Sequence, residues 1–124
     1  MQTRRRWFFV PLVLLAAGCS AASQVPQYDS QAAQETLVRT LDAWKQGRAG
    51  ALAQGNPPIR FEDDDCRHGL QLTDYRLEQP LDSLRPFDDV QVVLLLRDAR
   101  GNPVEKTAAY QVVLTPALAV LRSD

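Results

Sequence analysis

From position 30 onward the apolar residues change period once, and the change divides the chain into a helical part and a β part. Ala33, Leu37, Leu41 and Trp44 recur at intervals of four, four and three, which lays one apolar stripe along a helix over about Ser30 to Gln46. Asp29 or Ser30 can cap its start, and Gly47 stands where helices commonly stop. Arg39, Asp42 and Lys45 fall on other faces and read as solvated. Trp44 reads as the anchor that packs this helix on a sheet. Arg48 to Gln54 allows one further helical turn before Gly55-Asn56-Pro57-Pro58 ends it.

Beyond Pro58 the pattern alternates. Ile59 and Phe61 flank Arg60 as a short strand, and Leu70, Leu72, Tyr75 and Leu77 make a longer one whose face shifts near Asp74, the mark of a bulge. Val90 to Leu96 is apolar at six of its seven positions, so it belongs in mid-sheet or is covered on both faces. The turn cluster Ala99 to Pro103 leads into Val104 to Thr115 as the partner strand of a hairpin. Pro116 interrupts, and Ala117 to Leu121 offers a final strand. The pattern predicts a single α+β domain over residues 30–124. One long N-terminal helix packs on a curved antiparallel sheet of four to five strands.

The first 29 residues carry a different signal. Arg4, Arg5 and Arg6 precede an apolar run from Trp7 to Ala17 that is broken only by Pro11. The run is too short for a bilayer, which needs about 20 apolar residues, but has the layout of an export leader. Leu14-Leu15-Ala16-Ala17-Gly18-Cys19 resembles the lipobox of bacterial lipoprotein precursors, with alanine at position 16 where leucine is more usual. The resemblance implies a signal peptide over residues 1–18 cut after Gly18. It also implies a thioether-linked diacylglycerol on Cys19, with an added N-acyl chain of the palmitate type. An ordinary secretory cut after Ala22, at Ser20-Ala21-Ala22, is the alternative. Residues 19–29 are small and polar and read as a tether. A lipid-anchored domain would sit at a membrane of the cell envelope, outside the cytoplasm, and Ser20 after the cysteine favours the outer membrane.

Charge narrows the partners. Loss of the three leader arginines leaves 11 basic residues against 15 acidic ones, a net charge near −4. That balance argues against nucleic acid and against a polybasic membrane patch. With Cys19 acylated, Cys66 is the one remaining thiol, either buried as a small apolar side chain or free to pair with another molecule.

Glu62 to Gly69 holds four acids beside Cys66 and the only histidine, His68. Counted from Asp63 as an EF-hand loop, the fifth position is Arg67, the sixth His68 and the twelfth Asp74, which is the wrong ligand order for calcium. Zinc would lack Cys and His ligands. A short helical turn capped by acids at its start accounts for the run. Cys66 and His68, two apart, share a face only in a strand. No metal or cofactor is implied.

Helix, Pro-rich break and curved sheet in that order resemble the cystatin-like and NTF2-like α+β superfamily. Pro58-Ile59 through Asp63 to Asp65, with Gly69, Leu72 and Tyr75, also looks like uncharacterised exported proteins of planctomycete-type bacteria. Those proteins often have tryptophan where this chain has Cys66. Cystatins insert a Q-x-V-x-G hairpin, whereas Gln91-Val92-Val93-Leu94-Leu95 lacks the glycine. The NTF2-like resemblance implies an Asp/His or Asp/Tyr pair in a sheet pocket, for which His68, Asp74, Tyr75 and Tyr110 are the available residues. Two functions follow as expectations. One is a non-enzymatic interaction or ligand-binding module, meeting an envelope protein or a second copy through a sheet face that carries Val93, Leu95 and Val113. The other is a small hydrolase or isomerase. A purely structural envelope lipoprotein is the third.

Overall fold

The computed structural model describes residues 28–124, so the leader, Gly18, Cys19 and most of the tether lie outside the described residues. Helix α1 spans Ser30–Lys45, and a 3-10 turn covers Ala49–Gln54. Strand β1 is Ile59–Glu62, a one-turn helix α2 is Asp64–Arg67, and β2 to β5 are Gln71–Leu77, Val90–Arg97, Pro103–Val113 and Leu118–Arg122. Asp29 caps α1 through the N–H of Ala32 at 3.0 Å, and Gly47, at φ 73, takes the left-handed conformation that ends it.

The buried face of α1 is wider than its apolar stripe, because Thr36 and Thr40 join Ala33, Leu37, Leu41 and Trp44. Both hydroxyls donate to the carbonyl four residues back, at 2.8 Å, so they enter the core without an unsatisfied polar atom. Trp44 is the expected anchor: its ring meets Phe61 at 5.8 Å between centroids, and its indole N–H donates to the Leu70 carbonyl at 3.0 Å.

The five strands form one curled sheet in the order β1-β5-β4-β3-β2. Its inner face presents Ile59, Leu72, Val90, Val92, Leu94, Leu96, Ala108, Tyr110, Val112 and Val120 to α1. The bulge falls between Leu72 and Asp74, and β3 runs in mid-sheet between β2 and β4. An all-antiparallel sheet is corrected at one edge: β1 pairs parallel with β5, Ile59 opposite Leu118 and Phe61 opposite Val120. Helix α2 and the turn after it carry the chain from β1 at one edge to β2 at the other, so β1 is free to take a non-sequential neighbour.

The outer sheet face is less open than its apolar residues suggested. Val93 is only 3% exposed, and Leu95 and Val113 are half-buried. Arg76 stands beside Val93 on β2, and Glu105 stands beside Leu95 on β4. Their ion pair, at 3.8 Å, arches over β3 between the two apolar side chains. Long charged stems shield apolar surface in this way while their heads stay in water.

Candidate functional site

The acidic run acts as a helix cap and an ion-pair cluster. Asp63 is the N-cap of α2, accepting from the Cys66 N–H at 3.0 Å through one carboxylate oxygen. Its other oxygen accepts from the Tyr110 hydroxyl and, at 3.1 Å, from Arg122. Asp65 is held by Lys106 at 2.8 Å and by Arg122 at 3.1 Å. Period-two alternation places Lys106 on the same face as Ala108 and Tyr110, and Arg122 lies directly opposite Tyr110 on β5. Two inward-pointing cations thus meet two acids from α2 where the sheet would otherwise be open. An inward charge on a strand face was the available signal for this cluster, and pattern reading centred on apolar residues passed over it.

Electrostatics fix Asp65, Tyr110 and Arg122 in their ordinary charge states. Burial would raise the Asp65 carboxyl, but the bonds from Lys106 and Arg122 outweigh it and hold it below the usual carboxylate range. The Tyr110 phenol is pushed far up by burial and by the Asp63 charge, so it stays protonated and donating. Burial lowers Arg122, yet the carboxylates of Asp124, Asp65 and Asp63 more than compensate. Cys66 is a free, half-buried thiol raised by burial and then by Asp63, away from the thiolate a nucleophile needs.

The four residues considered for acid/base chemistry are dispersed. His68 is exposed at the end of α2. Asp74 is exposed, paired with Lys45 at 3.5 Å, and lowered first by the Tyr75 N–H and then by Lys45. Tyr75 points inward and donates to Asp42 at 2.8 Å; burial, then that contact, pushes its phenol up to about 12. Tyr110 is bound to Asp63. Asp74 accepts from the Tyr75 N–H at 2.9 Å, but the side chains meet different partners, Lys45 for Asp74, Asp42 for Tyr75 and Asp63 for Tyr110.

A different place stands out, at the end of the sheet where α1 begins. Between β2 and β3 the chain makes a long loop that buries Leu81, 3% exposed, and turns Phe87 outward, 82% exposed. Phe87 also takes φ 68, a left-handed backbone that costs a bulky side chain about 1–3 kcal/mol. The loop is firmly held: the Gln111 amide donates to the Phe87 carbonyl and to Asp89, both at 3.3 Å, and Ser123 donates to Asp89 at 2.8 Å. The Arg85 N–H bonds Asp88 at 3.0 Å, and the Ser30 hydroxyl bonds the Asp82 carbonyl at 3.1 Å.

Phe87 forms one wall of a groove of about 450 Å³, with Tyr28, Pro86, Val112, Leu114 and Thr115 as its other main walls. Tyr28 closes one side by donating to the Val112 carbonyl at 2.6 Å, and its phenol is raised by burial and then by Asp88. A wider depression beside α1, about 590 Å³, is lined by Glu35, Arg39, Asp42 and Arg48 and has no exposed aromatic.

Comparison with known protein families, with curated proteins and with solved structures gives no match. The groove therefore has to be read from its own residues. Sequence reasoning missed it because Phe87 lies in a stretch without periodicity, and its exposure depends on a loop path that no local pattern encodes.

Proposed function

We propose that the chain is an envelope lipoprotein, held at a bilayer through acylated Cys19, whose domain binds another molecule through the groove beside Phe87. The observation that carries the binding reading is a large aromatic side chain kept in water, on a strained backbone, by a well-bonded loop. Burying a phenylalanine contributes about 1.5–3 kcal/mol, and this domain forgoes that gain. Such strain persists where the surroundings enforce it, and it clusters at binding sites. The binding surface is thus proposed at the groove, which takes in Val113 of the outer sheet face, whereas Arg76 and Glu105 arch over the part of that face between Val93 and Leu95.

The anchor reading rests on the basic head, the apolar run and the Gly18-Cys19 junction. No helix among the described residues is long and apolar enough to cross a membrane. The nine residue-to-residue steps from Cys19 to Tyr28 span at most about 30 Å when extended. Because Tyr28 itself lines the groove, an anchored domain would present this pole within that distance of the lipid.

Two measurements test the proposal. Mass spectrometry of the protein extracted from membranes should find the leader removed and diacylglyceryl on Cys19; an unmodified amino terminus removes the anchor. A photoreactive phenylalanine analogue at position 87 should give a discrete crosslinked product in intact cells, and the same analogue at exposed Arg97 should not. Equal labelling from both positions would remove the groove.

A further inference from the structure

The rim of this groove has a charge that its apolar lining does not balance. Asp29 lines it directly, and Asp88 and Asp89 follow Phe87 in the loop. Asp29 is engaged by the N–H of Ala32, Asp88 by the N–H of Arg85, and Asp89 by Gln111 and Ser123, all uncharged donors. No ion pair among the described residues involves any of the three. Over residues 82–89 the single cation is Arg85, against Asp82, Asp88 and Asp89. Elsewhere Asp63, Asp65, Asp74 and Asp124 meet Lys or Arg, whereas Glu35, Asp42, Glu78 and Asp98 have no ion pair among the described residues. Three carboxylates without a cation among the described residues, Asp29, Asp88 and Asp89, thus lie on or beside an apolar groove with an exposed aromatic.

We infer that the groove receives a polypeptide segment with one or two large apolar side chains flanked by lysine or arginine. This inference deepens the interaction reading above and rests on it. An apolar centre with a charged rim is the usual anatomy of a protein interface, in which the centre supplies affinity and the rim supplies selection and association rate. A phospholipid surface fits less well, because three uncompensated carboxylates would face anionic headgroups. The groove is also concave, which suits a side chain better than a bilayer plane. Phe87 would stack on the incoming apolar residue, Val112 and Leu114 would floor it, and Asp29, Asp88 and Asp89 would meet the flanking cations.

The test uses the acylated mature chain in phosphatidylcholine nanodiscs and two end-blocked pentapeptides, Lys-Leu-Phe-Leu-Lys and Glu-Leu-Phe-Leu-Glu. Nitrogen-15 NMR would follow the amides of Gln111, Val113 and Thr115. The expected result is saturable shifts with the lysine peptide, at least about tenfold weaker binding of the glutamate peptide, and weakening as salt is raised through the screening range. Phe87→Ala should cost about tenfold or more, as at interface anchors, and Asp88→Asn with Asp89→Asn should erase the preference between peptides. Equal binding of the two peptides, or preference for the glutamate one, overturns the inference. If Phe87 still crosslinks to a discrete partner in cells, the binding reading itself survives that result. Broadening of the same amides by paramagnetic headgroup lipid, with neither peptide bound, would make the groove a membrane contact and also overturn it.

Discussion

Asp63 serves three donors at once, the Cys66 N–H, the Tyr110 hydroxyl and Arg122, with its side chain fully out of water. Removing Asp63 leaves the buried Tyr110 hydroxyl without its acceptor, which costs about 1–3 kcal/mol, while Arg122 keeps Asp65 and Asp124. Asp63→Ala should therefore lower the urea midpoint far more than Asp64→Ala, whose carboxylate is exposed and paired only with Arg67 at 3.6 Å. A loss below about 1 kcal/mol would mean that the Asp63 contacts are not maintained in solution. At Phe87 the expected sign is opposite. Phe87→Gly removes no packed side chain and relieves the positive φ, so thermal unfolding should be unchanged or shifted upward. Leu81→Ala, in the same loop, should cost about 2–5 kcal/mol because that side chain is in the core. A stable domain that loses peptide binding on Phe87→Ala would separate the residue's role from folding.

At the scale of elements, the cluster joining α2 to β4 and β5 gives stability a definite pH dependence. Asp65 and Asp124 both titrate below their ordinary values. The stability they contribute is complete above the unfolded carboxylate pKa of about 3.9 and is lost as pH falls through the lower folded values. The tyrosines act at the other end. Tyr28, Tyr75 and Tyr110 are all raised, so their share is complete below about pH 10 and is lost as pH rises beyond it. Urea midpoints should be flat from about pH 6 to 9 and fall on both sides. Absorbance at 295 nm should show no tyrosine ionising near pH 10 before the chain unfolds. The elements themselves were largely readable from the sequence: the α1 stripe, the Gly47 stop, the bulge before Asp74 and the Ala99 to Pro103 turn all lie where local chemistry puts them. What local chemistry does not hold is long-range pairing. Nothing in Ile59–Glu62 names Leu118–Arg122 as its parallel neighbour, and nothing in Lys106 names Asp65. The groove is hidden for the same reason, since Tyr28, Phe87 and Val112 come from three distant stretches.

At the scale of the whole molecule, every buried core residue among the described residues lies between Ala33 and Val120. The domain should therefore not need the anchor in order to fold. Limited proteolysis of membranes should release a fragment beginning near Tyr28, with a thermal midpoint within a degree or two of the anchored protein. A fragment that unfolds on release would mean that the preceding residues contribute to the fold.

The parallel pairing of β1 with β5 also orders events during synthesis. Ile59 cannot meet Leu118 until nearly sixty further residues have been made. Strands β2, β3 and β4 can pair before that, β3 with β4 through a short turn and β2 with β3 across the long loop, while β1 waits with both edges bare. Pairings across long stretches of chain form late and slowly, and an unpaired strand edge is a template for association with other chains. A nascent chain halted before residue 118 would thus carry one ready-made sticky strand, and completing the final segment is what closes that edge.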